Sequence, residues 1–363
     1  GHVACTQSNS PTEGVVIWTA PDTTTSIVDS GSSGTYNGFM STVAMNDSDQ
    51  TAFSAFYAPI GGPVVATRDA TPGAVIHRRP LFSQTEALAM DDAGEVLFIS
   101  YTGLDEDPRV LTLASNNLSS TKVIANSECF SFIGMFAGIS SDGRIIVFYG
   151  ETNGACDIQP AADSAVGVFA SLDLGGPTRK LVRLSGVKVE DLTSTQGNAD
   201  GTCDVGETCR SGELGLDQQG NPFYFDSYDM ESRIGVAHQQ LGAAGLADDS
   251  FVVSIVGTPN AAHDQGRFNA QQGIWTVRAD VSLTGSALKL NLATPIPVVQ
   301  VGDSIGSEVV ANFGPSYAYP DIANARVAYS GNPRQQARGD HRVVFYAKTT
   351  TGQDLVVRSE HLE

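Results

Sequence analysis

Ala44-Met45-Asn46-Asp47-Ser48-Asp49-Gln50-Thr51-Ala52-Phe53 and Ala89-Met90-Asp91-Asp92-Ala93-Gly94-Glu95-Val96-Leu97-Phe98 are one pattern written twice. Each opens on Ala-Met, passes through a polar centre of Asn, Asp, Ser or Gly, and ends on a short apolar run closed by Phe. Asn, Asp and Gly accept left-handed backbone geometry, and Asx side chains hydrogen-bond their own main chain, so the polar centre reads as a tight turn. The apolar flanks read as strands, and the closing aromatic as a side chain packed between sheets. The unit is a β-hairpin.

The same pattern recurs at Gly138 to Phe148 and at Gly215 to Phe225, with weaker copies at Leu246 to Val253 and at Asp321 to Tyr329. Taking the final aromatic or its equivalent, Phe53, Phe98 and Val147, the first three copies are spaced 45 and 49 residues apart. That is the period of one four-stranded propeller blade. Later spacings are irregular, because a cysteine-containing insert interrupts them and one copy falls too close to its neighbour. Second hairpins are expected between the copies, at Gly167 to Gly176 and at Gly273 to Asp280. No segment carries a long apolar pattern of period 3.6, so the chain reads as all-β. With 38 Gly and 16 Pro in 363 residues it has the turns that such a fold needs. The expected architecture is a β-propeller of four-stranded antiparallel blades, six favoured, with five or seven open and a pair of β-sandwiches as the alternative. Residues 1–13 form a polar N-terminal segment and 14–363 a single propeller domain, with an acidic insert at about 190–212. The strand around Val15-Val16-Ile17-Trp18 is expected to complete a blade begun by the C-terminal strands at 342–346 and 355–358.

The units Asn46 to Phe53 and Asp91 to Phe98 resemble the Asn-x-x-Gly-x-x-Ala-Phe tandem repeats of bacterial exported proteins, and Val301-Gly302-Asp303-Ser304-Ile305-Gly306 is similar to the connector that precedes such repeats. The resemblance is degenerate, since Asp49, Asp249 and Ala325 stand where the repeat has Gly. It implies a secreted repeat fold and no particular reaction.

Forty acidic residues against 21 basic ones give a net charge of −19, with the acids spread along the chain. A basic, phosphate-binding surface is excluded and nucleic acid is not an expected partner. No apolar run is long enough for a transmembrane helix. Cys129 with Cys156 and Cys203 with Cys209 are expected as two local disulfides, which places the protein in an oxidising compartment: secreted, periplasmic or on a bacterial cell surface. Cys5 is the odd cysteine, either free, paired elsewhere or a lipid anchor.

Chemistry-bearing residues are few. Asn198, Asp200, Thr202, Asp204 and Glu207 alternate along a glycine-containing loop, the spacing with which oxygen ligands curl round calcium, and the Cys203–Cys209 bridge would tie that loop. Any bound Ca2+ is expected to be structural. His77, His238, His263 and His341 are candidate bases, with Asp264 beside His263. Arg78 and Arg79 form the one local basic cluster and suit a carboxylate or sulfate ligand. Asp226 with Asp229, or Asp105 with Asp107, are possible carboxylate pairs of a glycosidase, but acids on hairpin turns are more often solvated. No nucleophile elbow, zinc-protease helix or phosphate-binding glycine loop occurs. The expected function is binding of an extracellular protein or carbohydrate. The alternatives are a calcium-dependent hydrolase of lactonase, esterase or glycosidase type, and a structural repeat of a larger surface assembly.

Overall fold

The computed structural model describes residues 2–9, 12–19, 23–30, 35–39, 43–68, 77–80, 85–101, 109–156, 158, 165–176, 178–184, 213–216, 222–228, 234–239, 249–259, 271–284, 287–293, 295–313, 328–329 and 343–358. Among these the chain is all-β, with one 3-10 turn at Ala58–Ile60 and six antiparallel sheets. It divides into two compact units, one made of Gly1–Ser127 with Ser141–Gly143 and the other of Glu128–Ser140 with Arg144–Glu363.

The first unit holds three sheets. His2–Asn9, Thr12–Thr19 and Thr23–Asp29 form a three-stranded meander. The polar N-terminal segment therefore contributes a strand, whose register runs from His2 opposite Thr19 to Asn9 opposite Thr12. In the second sheet Thr51–Tyr57 pairs with Gly62–Arg68, which pairs with His77–Pro80; its other side takes Val43–Met45 and Tyr36–Asn37. The third sheet is the meander Thr85–Met90, Val96–Tyr101, Arg109–Ala114 and Thr121–Ala125. The two quoted repeats are thus edge hairpins of successive sheets, Val43–Met45 with Thr51–Tyr57 and Thr85–Met90 with Val96–Tyr101.

Period-two alternation assigns the residues of the second sheet to two different cores. Phe53, Ala55, Val64 and Ala66 join Val15, Ile17, Ile27 and Val28 of the first sheet. Their neighbours Ala52 and Val65 join Met90, Val96, Phe98 and Ala114 of the third. A strand buried on both faces needs apolar side chains at successive positions, which is what Thr51-Ala52-Phe53-Ser54-Ala55 supplies with small polar residues only where hydroxyls replace methyls. The three sheets stack face to face, and each fully buried Phe contributes roughly 1.5–3 kcal/mol from the area it removes from water.

The second unit repeats this arrangement. Phe130–Ile139, Ile145–Thr152, Ala165–Leu172 and Lys180–Arg183 make a four-stranded meander, and the turn after Leu172 falls inside the hairpin expected at Gly167 to Gly176. The next sheet centres on Asp249–Pro259 and Gly273–Thr284, flanked by Pro222–Tyr228 and Gly235–Gln239 on one side and by Ala287–Leu292 and Ile296–Gln300 on the other, with Glu213–Leu216 outermost. Here Gly273 to Asp280 is one continuous strand where the sequence suggested a hairpin. Its central residues, Ile274-Trp275-Thr276-Val277, hold no turn former, and the chain reverses only beyond Thr284. Phe251, Val253, Ile255, Trp275 and Val277 face the preceding sheet, whereas Val256, Ile274 and Val299 face the following one. Trp275 is fully buried and its Nε1 donates to the Gly257 carbonyl at 3.2 Å.

The last sheet centres on Val343–Thr349, paired with Asp354–Arg358 on one side and with Glu308–Asn312 and Ala328–Tyr329 on the other. The strand around Val15 takes both its partners from the first thirty residues, and Val343–Thr349 takes its partners from 308–358. The strand exchange expected from the sequence is not seen among the described residues. The disulfide Cys129–Cys156 is present, with a Cα–Cα distance of 5.2 Å, and closes the open end of the hairpin formed by Phe130–Ile139 and Ile145–Thr152.

Candidate functional site: the acidic repeat turns

The residues that define the repeat are tied by side-chain hydrogen bonds within and between their turns. The first residue of each turn is polar and buried: Asn46 at 6% exposure, Asp91 at 1% and Ser140 at 0%. In each case the side-chain oxygen accepts a backbone N–H from across the turn. Asn46 Oδ1 accepts from Ser48 and Gln50 at 3.1 and 3.0 Å, Asp91 Oδ1 from Glu95 at 2.7 Å, and Ser140 Oγ from Ile145 at 3.0 Å. Side chains that mimic a backbone turn in this way favour Asn, Asp and Ser, so the repeat pattern at this position has a direct cause.

The fourth turn position needs a positive φ. Gly94 takes +82° and Gly143 +74°, and Asp49, which replaces the expected Gly, adopts +59°. Asp tolerates that region better than most residues, which is why the degenerate first copy keeps the same turn. Glycine does a second job at the later copies, where it admits close neighbours. A Cβ on Gly94 would lie 2.9 Å from Gln50 Oε1, and one on Gly143 would overlap Asp91 Oδ2.

Hydrogen bonds also run from one turn to the next. Asn46 Nδ2 donates to the Asp91 carbonyl at 3.1 Å, and the Asp92 N–H donates to the Ser141 carbonyl at 2.8 Å. These links span 45 and 49 residues, the same intervals read from the sequence. All lie within the first compact unit.

This stacking gathers carboxyl groups. Burial is the main cause that pushes Asp91 up from its ordinary value to about 7, reinforced by the charges of Glu95 and Asp92 and opposed by the backbone N–H groups of Glu95 and Ala93. Asp92 is also raised, first by burial and then by the charges of Asp47 and Asp142, against a backbone hydrogen bond from Asp47. Asp91 therefore holds a proton close to neutral pH. At 1% exposure that proton faces protein, so the turn stack is suited to packing and not to acid catalysis on a solvent-borne substrate.

Two further turns of the same kind escaped the sequence reading. At Thr349-Thr350-Thr351-Gly352-Gln353, Thr349 Oγ1 accepts from the Gln353 N–H at 3.0 Å and Gly352 has φ +85°. At Ser115 to Ser120, Ser115 Oγ accepts from the Ser120 N–H at 3.1 Å, with Leu118 at φ +56°. The signal was present as a polar residue followed three positions later by the left-handed one, but Thr and Ser in place of Asx, and Leu in place of Gly, hid it.

Some of the residues singled out from the sequence fall on described strands. His77, Arg78 and Arg79 lie on the outer strand His77–Pro80, opposite Thr67, Ala66 and Val65. Arg79 Nη1 points to the Leu118 carbonyl at 3.5 Å, a long contact that leaves only weak directional bonding. His238 is 3% exposed on Gly235–Gln239, opposite Phe251, inside the sheet it belongs to. Asp226 sits on Pro222–Tyr228. His263, Asp264, His341, Asp105, Asp107, Asp229, the metal-loop residues Asn198, Asp200, Thr202, Asp204 and Glu207, and Cys203 and Cys209 lie outside the described residues. Among the described residues no group of three or more His, Cys, Asp or Glu side chains is arranged to hold a metal ion. No helix among them is long and apolar enough to cross a membrane.

No protein-family model and no curated protein sequence matches the chain. Among solved structures it is similar to the β-propeller domain of the Trilobed protease from Pyrococcus furiosus, at 8% identity and a TM-score of 0.40 over 99% of this chain and 92% of that one. It is also similar to an acylaminoacyl peptidase from Pyrococcus horikoshii, at 8% identity and a TM-score of 0.31 over 90% of this chain and 51% of that one. An oligogalacturonate lyase in complex with manganese matches at 9% identity and a TM-score of 0.32 over 100% of this chain and 98% of that one. No activity is carried over from any of the three.

Proposed function

We propose that the protein is an exported six-bladed β-propeller that binds an extracellular protein or carbohydrate, with its repeat acids used for architecture. The propeller reading is supported by two sheets, one centred on Thr51–Tyr57 and one on Asp249–Pro259, whose residues divide between two cores, because a sheet packed between the one before and the one after is what a blade is. Export is supported by the Cys129–Cys156 disulfide.

The observation that carries the binding reading is the use of the repeat carboxyls. Asp91, whose carboxyl burial pushes up to about 7, is sealed in a turn, and Asp92 anchors the next turn through its backbone. Ligand recognition then falls to loops at the sheet ends, the usual site on a rigid β scaffold. Calcium bound by Asn198, Asp200, Thr202, Asp204 and Glu207 belongs to the proposal as a stabilising ion. The test is a paired one. Purified protein is screened against a glycan array and against lactone, ester and glycoside substrates, each with calcium and with a chelator. Saturable glycan or protein binding without turnover supports the proposal. Turnover that the chelator removes, and that His263→Ala or Asp264→Asn abolishes, overturns it in favour of a hydrolase.

A further inference from the structure

The sequence contains two Asn-Gly pairs, Asn37-Gly38 and Asn153-Gly154, and the fold treats them oppositely. Asn-Gly is the pair most prone to ring closure, because glycine has no Cβ to hinder its backbone nitrogen from reaching the preceding side-chain carbonyl.

Asn153 is tethered at every atom that would have to move. Its Nδ2 donates to the Glu128 carbonyl at 3.2 Å and its Oδ1 accepts from the Ala155 N–H at 3.0 Å. Its own N–H donates to the Cys129 carbonyl at 3.1 Å. The attacking nitrogen, that of Gly154, donates to Thr152 Oγ1 at 3.1 Å. The Cys129–Cys156 bridge closes the segment two residues further on. Asn37, whose backbone lies opposite Phe56, shows no comparable side-chain tether among the described residues. It is exposed at the end of the two-residue strand Tyr36–Asn37, and Gly38 follows it, exposed, at φ +53°. Among the described residues, a Cβ placed on Gly38 would meet only Phe56 Cβ within 4 Å, at 3.8 Å.

We infer that Asn37 is a site of spontaneous deamidation in the folded protein and that Asn153 is protected. In the first step the deprotonated Gly38 nitrogen forms a bond to Cγ of Asn37, the Cγ–Nδ2 bond breaks, and ammonia leaves with the proton. A water molecule then opens the succinimide at either carbonyl, giving aspartate or isoaspartate at position 37. No oxidation or reduction occurs, and water is the only co-reactant. The isoaspartate product inserts a methylene into the main chain directly after Tyr36. That residue is 2% exposed and packs its ring 5.8 Å from Phe53 and 5.0 Å from Tyr57. The modification thus adds a negative charge to an already acidic surface and loosens the strand that seats an aromatic cluster.

The experiment is a time course of the intact protein at 37 °C and mildly alkaline pH, with peptide mass mapping and enzymatic methylation of isoaspartate, run alongside the same chain in urea. Folded protein is expected to deamidate at Asn37 at least roughly tenfold faster than at Asn153, the ratio that a single protecting hydrogen bond can impose on a rate. In urea the two rates should converge. Asn37→Gln should remove the isoaspartate signal, and near-ultraviolet circular dichroism should change with the extent of modification in the wild type alone. Equal rates in the folded state, faster reaction at Asn153, or an intact Asn37 over a period in which the urea-treated chain converts would each overturn the inference.

Discussion

Asp91 concentrates the physical chemistry of this protein in one side chain. Its carboxyl caps a turn, lies against Gly143 of the next repeat and carries a proton near neutral pH. Because its value is raised in the folded state, the folded protein binds more protons than the unfolded chain between pH 3.8 and about 7. Stability therefore falls as pH rises through that window, by about 1.4 kcal/mol per pH unit at its steepest, and the loss is complete once the group is ionised in both states. Denaturant unfolding at pH 5 and pH 8 should show this slope in the wild type and a much flatter one in Asp91→Asn, which keeps a capping oxygen without a titrating group. Gly143→Ala tests the neighbouring contact. It places a methyl against Asp91 Oδ2 at a left-handed backbone position, and its melting curve should show a loss of about 1–3 kcal/mol.

Hairpins are the level at which the sequence was most legible and also where it misled. Asn46 to Phe53 and Asp91 to Phe98 are legible as one unit because polar turn chemistry and a closing aromatic coincide, and both fold as hairpins. The copy ending at Thr349 to Gln353 was invisible, since Thr can accept the same backbone bond as Asn but does not announce a turn. Gly273 to Asp280, expected as a hairpin between repeat copies, is a continuous strand whose centre, Ile274-Trp275-Thr276-Val277, is β-branched and aromatic. The pairing of Cys129 with Cys156 was readable because the two flank one hairpin, whereas the burial of Asp91 was not, because it depends on a turn 49 residues away. Two predictions belong at this scale. Asn46→Ala removes three bonds within its turn and one to the Asp91 carbonyl, and should cost about 1–3 kcal/mol in chemical denaturation. Replacing Cys129 and Cys156 together by Ser frees a segment with a sequence separation of 27 and should cost about 2–4 kcal/mol by the same measurement.

At the scale of the molecule, one rule recurs in both units: a central sheet carries two apolar faces, and alternate residues along its strands serve the sheet before and the sheet after. In the first unit this rule links the sheets through Phe53 and Phe98, and in the second through Trp275 and Val256. The repeat acids follow from the same arrangement, because turns of stacked sheets meet and their buried polar groups must bond to one another. The proposed ring of six blades extends the rule to the whole chain. An electron-density map of the crystallised protein tests it most directly. The account predicts six sheets around one axis, with Asn46 bonded to the Asp91 carbonyl and the Asp92 N–H to that of Ser141. Two separate sandwiches, or repeat turns that do not touch, would contradict it.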